Sequence, residues 1–193
     1  MRAIDATTLS LLVDPDADIP ADEKTGKRPE CARERLDFLI ETLDAERVKL
    51  LVPAPALSEV LILAEDAGPA LLDDINSSSV FKVEDFNQLA AIEAAAIHLA
   101  LAKAKTKNLS GSKVKTKYDV QIVAIAKVNG ADTIYSEDGD IKRLAEQAGI
   151  KFVQIADLPM PPAKQTELFE EKGKVVPLHN PKSKSPTTEQ GPA

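Results

Sequence analysis

Short apolar runs along the chain alternate with longer segments in which apolar residues return every three or four positions. Residues 2–5 open with a strand-like run around Ala3 and Ile4, and Thr7 or Thr8 is placed to cap a helix carrying Leu9, Leu11, Leu12 and Val13. Residues 33–46 put Leu36, Leu39, Ile40 and Leu43 on one helical face. Residues 49–52 and 80–83 are short aliphatic runs with the character of strands. Between them, 56–67 and 69–75 read as helices, with Gly68 as the expected C-cap of the first. An Ala-rich helix is predicted over 87–103. Helices over 118–128 and 140–148 then alternate with strands at 133–136 and 151–155, and Gly130 and Gly149 each fall just past a helix. Strands alternating with helices predict a parallel sheet covered on both faces and joined by right-handed crossovers.

Two internal stretches lack periodicity. Residues 14–30 are polar and hold three prolines, which reads as a loop. Residues 103–117 are lysine-rich and are expected to form a second loop, with Lys113, Lys115 and Lys117 nearest the helix that follows. From residue 160 the chain becomes polar and Pro-rich, so the expected organisation is a domain over 1–159 and a disordered tail over 160–193.

Composition narrows the picture. The chain has 193 residues, of which 44% are hydrophobic but only 4% aromatic, with no Trp, so aliphatic side chains and Ala must fill the core. No apolar run is long enough to span a membrane, and the first residues lack the apolar segment of a signal peptide. Cys31 is the single cysteine, which rules out an intrachain disulfide and fits a reducing cytoplasm. A net charge of −7 argues against a broad basic face for duplex nucleic acid, while leaving room for a local basic patch. His98 and His179 have no ligand-spaced partner, and Ser58 and Ser136 have no His-based triad.

The chemistry gathers in the acids. Asp5 ends the first strand, Glu59 and Asp119 open helices, and Asp138 follows the strand at 133–136 with Asp140 two places on. In an open parallel sheet, ligands bind at the carboxyl ends of the strands, where these positions fall. Crowded carboxylates repel unless a cation neutralises them, and hard oxygen ligands suit Mg²⁺ or Mn²⁺. Such a cation can activate water against a phosphodiester. Each acid also has a plainer reading. Thr116-x-x-Asp119 has the form of a capping box, Glu59 could serve its helix dipole, and Asp138-Gly139-Asp140 could be a turn and cap. The lysines at 103–117 could grip phosphates or form a solvated loop.

With these residues in view, the chain resembles the PIN-domain nucleases, in particular toxin ribonucleases of the VapC type. Ile4-Asp5-Ala6-Thr7 and Pro55-Ala56-Leu57-Ser58-Glu59-Val60-Leu61 carry the likeness in the first half. Lys117-Tyr118-Asp119-Val120-Gln121-Ile122-Val123-Ala124 and Thr133-Ile134-Tyr135-Ser136-Glu137-Asp138-Gly139-Asp140 carry it in the second. The likeness covers roughly residues 1–158, and the order and spacing of the four blocks match. The loop at 14–30, the lysine-rich stretch and the tail depart from the pattern.

The resemblance implies an α/β, PIN-like three-layer fold with a five-stranded parallel sheet in the order 3-2-1-4-5. It implies cleavage of RNA with Mg²⁺ or Mn²⁺, with Asp5, Glu59 and Asp119 as the main metal-site acids, Asp138 as the fourth and Asp140 as an accessory. Ser136 and Thr7 or Thr8 would support the site; apart from the resemblance, the position of Lys113, Lys115 and Lys117 just before Asp119 makes them the residues expected to meet RNA phosphates. A homodimer and an antitoxin protein that blocks the site are the partners it implies. Two other readings stay open: a PIN nuclease of RNA processing, and a non-catalytic PIN-fold scaffold that binds RNA or protein. A haloacid-dehalogenase-type phosphatase is discarded because Thr7 stands where that chemistry needs a second Asp.

Overall fold

The computed structural model of the chain describes residues 1–21, 26–103 and 113–162. Met1–Pro161 form one compact unit. The tail expected from residue 160 falls almost wholly outside the described residues.

Five parallel strands form one sheet in the order β3-β2-β1-β4-β5, the order that the resemblance implies. They are β1 (Arg2–Ile4), β2 (Leu50–Pro53), β3 (Phe81–Glu84), β4 (Thr133–Tyr135) and β5 (Lys151–Val153). The register sets Ile4 beside Tyr135 and Val52 beside Val83. Leu50, Leu51 and Val52 are all fully buried, because helices cover both faces of this parallel sheet along β2. Strand order reverses between β1 and β4, so the crevice beyond their carboxyl ends is the fold's natural ligand position.

Seven helices surround the sheet among the described residues: α1 (Ala6–Val13), α2 (Ala32–Ala45), α3 (Ala54–Ala64), α4 (Gly68–Ser77), α5 (Gln88–Lys103), α6 (Lys113–Val128) and α7 (Gly139–Ala148). Buried Leu36, Leu39 and Leu43 confirm the predicted face of α2. Arg33 ties that helix to the carbonyls of Leu11 and Ala17, and Arg35 ties it to that of Leu158. Gly149 caps α7 with a left-handed backbone, φ 76°, a region where a Cβ is unfavourable.

Three local expectations are corrected. Gly68 does not cap α3; that helix ends at Ala64 where Glu65 turns to φ 46°, and Gly68 instead opens α4 ahead of Pro69. Asp5, not Thr7 or Thr8, caps α1. The lysine-rich stretch is helical from Lys113, so Lys113, Lys115 and Lys117 lie on the first turns of α6 rather than in a loop. Alternate residues on a helix point to opposite sides, whereas i and i+4 share a face. Lys115 and Lys117 therefore face different sides of α6.

Candidate functional site

Asp5 emerges from β1 at the switch point with its backbone N–H donating to the Tyr135 carbonyl of β4 at 3.2 Å. Its side chain is 4% exposed and has two tasks. One oxygen accepts the Thr8 N–H at 2.8 Å, starting α1, and the other accepts the Ser136 hydroxyl at 2.6 Å. Ser136 in turn accepts the Asp138 N–H at 3.0 Å. The carboxyl ends of β1 and β4 are thus stitched together through the side chains of Asp5 and Ser136. Thr8 is buried beside Asp5, with its hydroxyl short of hydrogen-bond geometry, while Thr7 is exposed and turned away from the site. The helix period thus sets Thr8, not Thr7, beside Asp5.

Asp138 caps α7, its Oδ1 accepting the N–H groups of Asp140 at 2.6 Å and Ile141 at 3.4 Å. The turn-and-cap reading of Asp138-Gly139-Asp140 is therefore correct, and it is compatible with a site, because Oδ2 stays available to face the crevice. That oxygen accepts a hydrogen bond from the Lys115 ammonium. Asp140 is 1% exposed and pairs with Arg143 one turn along α7, a partner that the sequence reading missed. The i, i+3 spacing of an acid and a base on a helix was its available signal. Glu137 turns away, accepting the Ile155 N–H at 2.6 Å.

Asp119 lies well inside α6, so Thr116 does not open the helix and the capping-box reading falls. Its Oδ2 is buried and has no hydrogen-bond partner. Glu59 reaches the same region from α3, half-buried.

The electrostatics show that these acids feel one another. Burial raises the pKa of Asp5, against the lowering effect of its bonds from Ser136 and Thr8, and the charge of Asp138 adds to the rise. Burial also raises Glu59, and repulsion by Asp5 adds to it. Asp119 is pushed up to about 7, first by burial and then by Asp138, Asp140 and Glu59, although Lys115 pulls the other way. Lys115 itself is raised: burial would lower it, but the bond to Asp138 and the fields of Asp119, Asp138 and Asp140 outweigh that. All five predicted acids therefore share one electrostatic neighbourhood.

A hard divalent cation fits the donors of this neighbourhood. They are carboxylate oxygens, and one, Asp119 Oδ2, is buried without a hydrogen bond, a condition that a cation relieves. Among the described residues no three such side chains already stand in metal-binding geometry. Lys115 stands among them instead, with Nζ 3.8 Å from Asp119 Oδ2 and 3.9 Å from Asp140 Oδ2. Lys117 sits apart, beside Val114, Tyr118 and Gln121 on the far side of α6. The side chain of Lys113 lies outside the described residues.

No family model matches the chain, and no curated protein matches it. Solved structures do resemble it. FitAcB from Neisseria gonorrhoeae superposes with a TM-score of 0.54 at 18% identity, over 82% of this chain and 100% of that one. VapBC2 from Rickettsia felis, bound to a DNA fragment from its promoter, gives 0.53 at 14% identity over 80% of this chain and 98% of that one. DNA-bound VapBC from Salmonella typhimurium gives 0.50 at 20% identity over 80% and 99%. Identities this low speak for the fold. With the sheet order, they make this an α/β protein of PIN-like fold, whose structural neighbours are VapBC and FitAB complexes.

Proposed function

We propose that this chain is a metal-dependent endoribonuclease, and the toxin member of a toxin–antitoxin pair. The observation that supports this best is the convergence of Asp5, Glu59, Asp119, Asp138 and Asp140, from separate elements, on the crevice at the strand-order switch point. Asp5, Glu59 and Asp119 would hold Mg²⁺ or Mn²⁺, with Asp138 and Asp140 completing the shell. The cation would supply an acidified water and neutralise charge on a scissile phosphate. The chain's own part is positional. Ser136 and the Thr8 N–H fix both oxygens of Asp5, so that carboxylate meets a ligand without reorganising. Arg143 holds Asp140 in place. Lys117, on the other side of α6 from Lys115, would make phosphate contacts away from the cleavage point, as would Lys113 of the same lysine-rich stretch.

Total cellular RNA incubated with the protein should be cut with Mg²⁺ or Mn²⁺ and left intact with EDTA. Asp5→Asn keeps an oxygen for the Thr8 N–H, so it should stay folded and lose cleavage by roughly 10³-fold, the scale of several kcal/mol of lost charge stabilisation. Intact RNA under every condition would overturn the nuclease reading and favour a binding scaffold. Cleavage that persists in EDTA and in Asp5→Asn would place the chemistry elsewhere. A small reading frame just upstream in the genome, encoding a protein that binds this one and stops the cleavage, separates a toxin from an RNA-processing enzyme.

The solvent side of α5 supports a homodimer. Its inner side buries Ala90, Ala94 and Ile97, yet Leu89, Ile92 and Leu99 are 60–64% exposed, and Ala96 lies between them. A helix apolar on both sides is normally covered on both. A second copy of the chain is the proposed cover. Wild-type protein should run as a dimer in light scattering, and Ile92→Glu with Leu99→Glu as a monomer of unchanged helix content. A wild-type monomer would end this reading.

A further inference from the structure

Three carboxylate oxygens, the Oδ2 atoms of Asp119, Asp138 and Asp140, converge on the single ammonium of Lys115. They come from two helices, and Lys115 shares the α6 face of Asp119 because the two are four residues apart. Only Asp138 takes a hydrogen bond from it within that trio. Asp119 Oδ2, at 3.8 Å, is left without one, so the lysine offsets part of the cluster's charge without satisfying every oxygen. A divalent cation carries twice the charge and binds carboxylate oxygens at about 2.0–2.6 Å. It cannot share these oxygens with an ammonium in the same space. The Lys115 side chain is 45% exposed, whereas Asp119 and Asp140 are 9% and 1% exposed, so the lysine can swing out while the acids stay.

We infer that Lys115 is an internal counter-cation of the acidic cluster, which holds the carboxylates together in the metal-free chain and competes with the divalent cation for them. The inference rests on the metal site proposed above and deepens it. Lys115 is then a regulator of metal occupancy rather than one of three equivalent RNA-binding lysines. Its side chain sets a threshold of cation concentration below which the crevice is closed to metal by the chain itself.

Lys115→Met keeps the aliphatic stem and removes the charge. Lys117→Met, two residues on and facing away, controls for a general loss of positive charge. Mn²⁺ affinity is measured by calorimetry, with melting temperatures taken in EDTA and in saturating Mn²⁺. Lys115→Met should bind Mn²⁺ roughly tenfold more tightly than wild type, within the usual range for coupling between two ligands of one site. Lys117→Met should change affinity by less than about twofold, since its charge is distant and screened. The rise in melting temperature on adding Mn²⁺ should be larger in Lys115→Met than in wild type. Equal affinities in Lys115→Met and Lys117→Met, with both binding Mn²⁺, would overturn the competition and leave the metal site standing. No Mn²⁺ binding by wild type or either variant would overturn the metal site and the competition with it.

Discussion

Asp119→Asn is expected to abolish RNA cleavage while making the metal-free protein more stable above neutral pH. The loss of cleavage should be on the order of 10³-fold, because Asp119 offers a buried carboxylate oxygen that no hydrogen bond satisfies among the described residues. The gain in stability has a separate origin. Folding raises the pKa of Asp119 from 3.8 to about 7, first through burial and then through Asp138, Asp140 and Glu59. Between those values the folded chain holds a proton that the unfolded chain has released. The favourable contribution of that proton is complete below pH 3.8, declines as pH rises, and is gone above about 7, where a buried carboxylate must carry its charge. Asn carries none at any pH. At pH 8 without metal the variant should be more stable by roughly 1–2 kcal/mol after discounting for solvent, or about 3–6 °C in a chain of this size. The difference should shrink toward pH 5. A stability gap that stays flat from pH 5 to pH 8 would contradict this electrostatic account, and undiminished cleavage would remove Asp119 from the site.

Ile4→Ala should unfold the protein at much lower temperature than any surface truncation. Ile4 is fully buried on β1, the central strand, beside Tyr135 of β4, and it directly precedes Asp5. Removing three carbons there loses transfer energy and leaves a cavity that the tightly paired sheet cannot close. The expected cost is about 2–5 kcal/mol, or roughly 5–15 °C in melting temperature. Ile62→Ala on α3 removes the same atoms from a residue that is 74% exposed, so its melting temperature should move by no more than a degree or two. Near-equal shifts for the two variants would mean that β1 is not the packed centre of the domain. Partial loss of cleavage in Ile4→Ala below its melting point is also expected, since Asp5 leaves β1 directly after this residue.

Much of the architecture was present in local pattern. Runs such as Leu50-Leu51-Val52 are apolar at every position, which suits only strands covered on both faces, and the amphipathic period of α2 is complete within its own residues. Turn chemistry was equally local at Gly149, where the left-handed backbone needs a residue without a side chain. It failed at Gly68, because the irregular turn at Glu65 ended α3 first and the following Pro69 suits the start of a helix as well as the end of one.

The acids were legible as a set in their order along the chain, and the sheet order came from family resemblance rather than from any periodicity. What each acid does was decided in three dimensions. Whether Asp119 is a cap or a crevice carboxylate depends on where α6 begins, and that helix extends back over lysines whose sequence reads as a loop. The rotation of α6 then turns Lys115 toward Asp119, Asp138 and Asp140 while Lys117 faces away. Thr8 rather than Thr7 lies beside Asp5 for the same reason. Apolar periodicity records which side of an element is buried, because burial acts on every residue of that side. Charge pairing depends on the phase and length of helices brought together from distant parts of the chain, so only the folded structure could set the lysine among the acids.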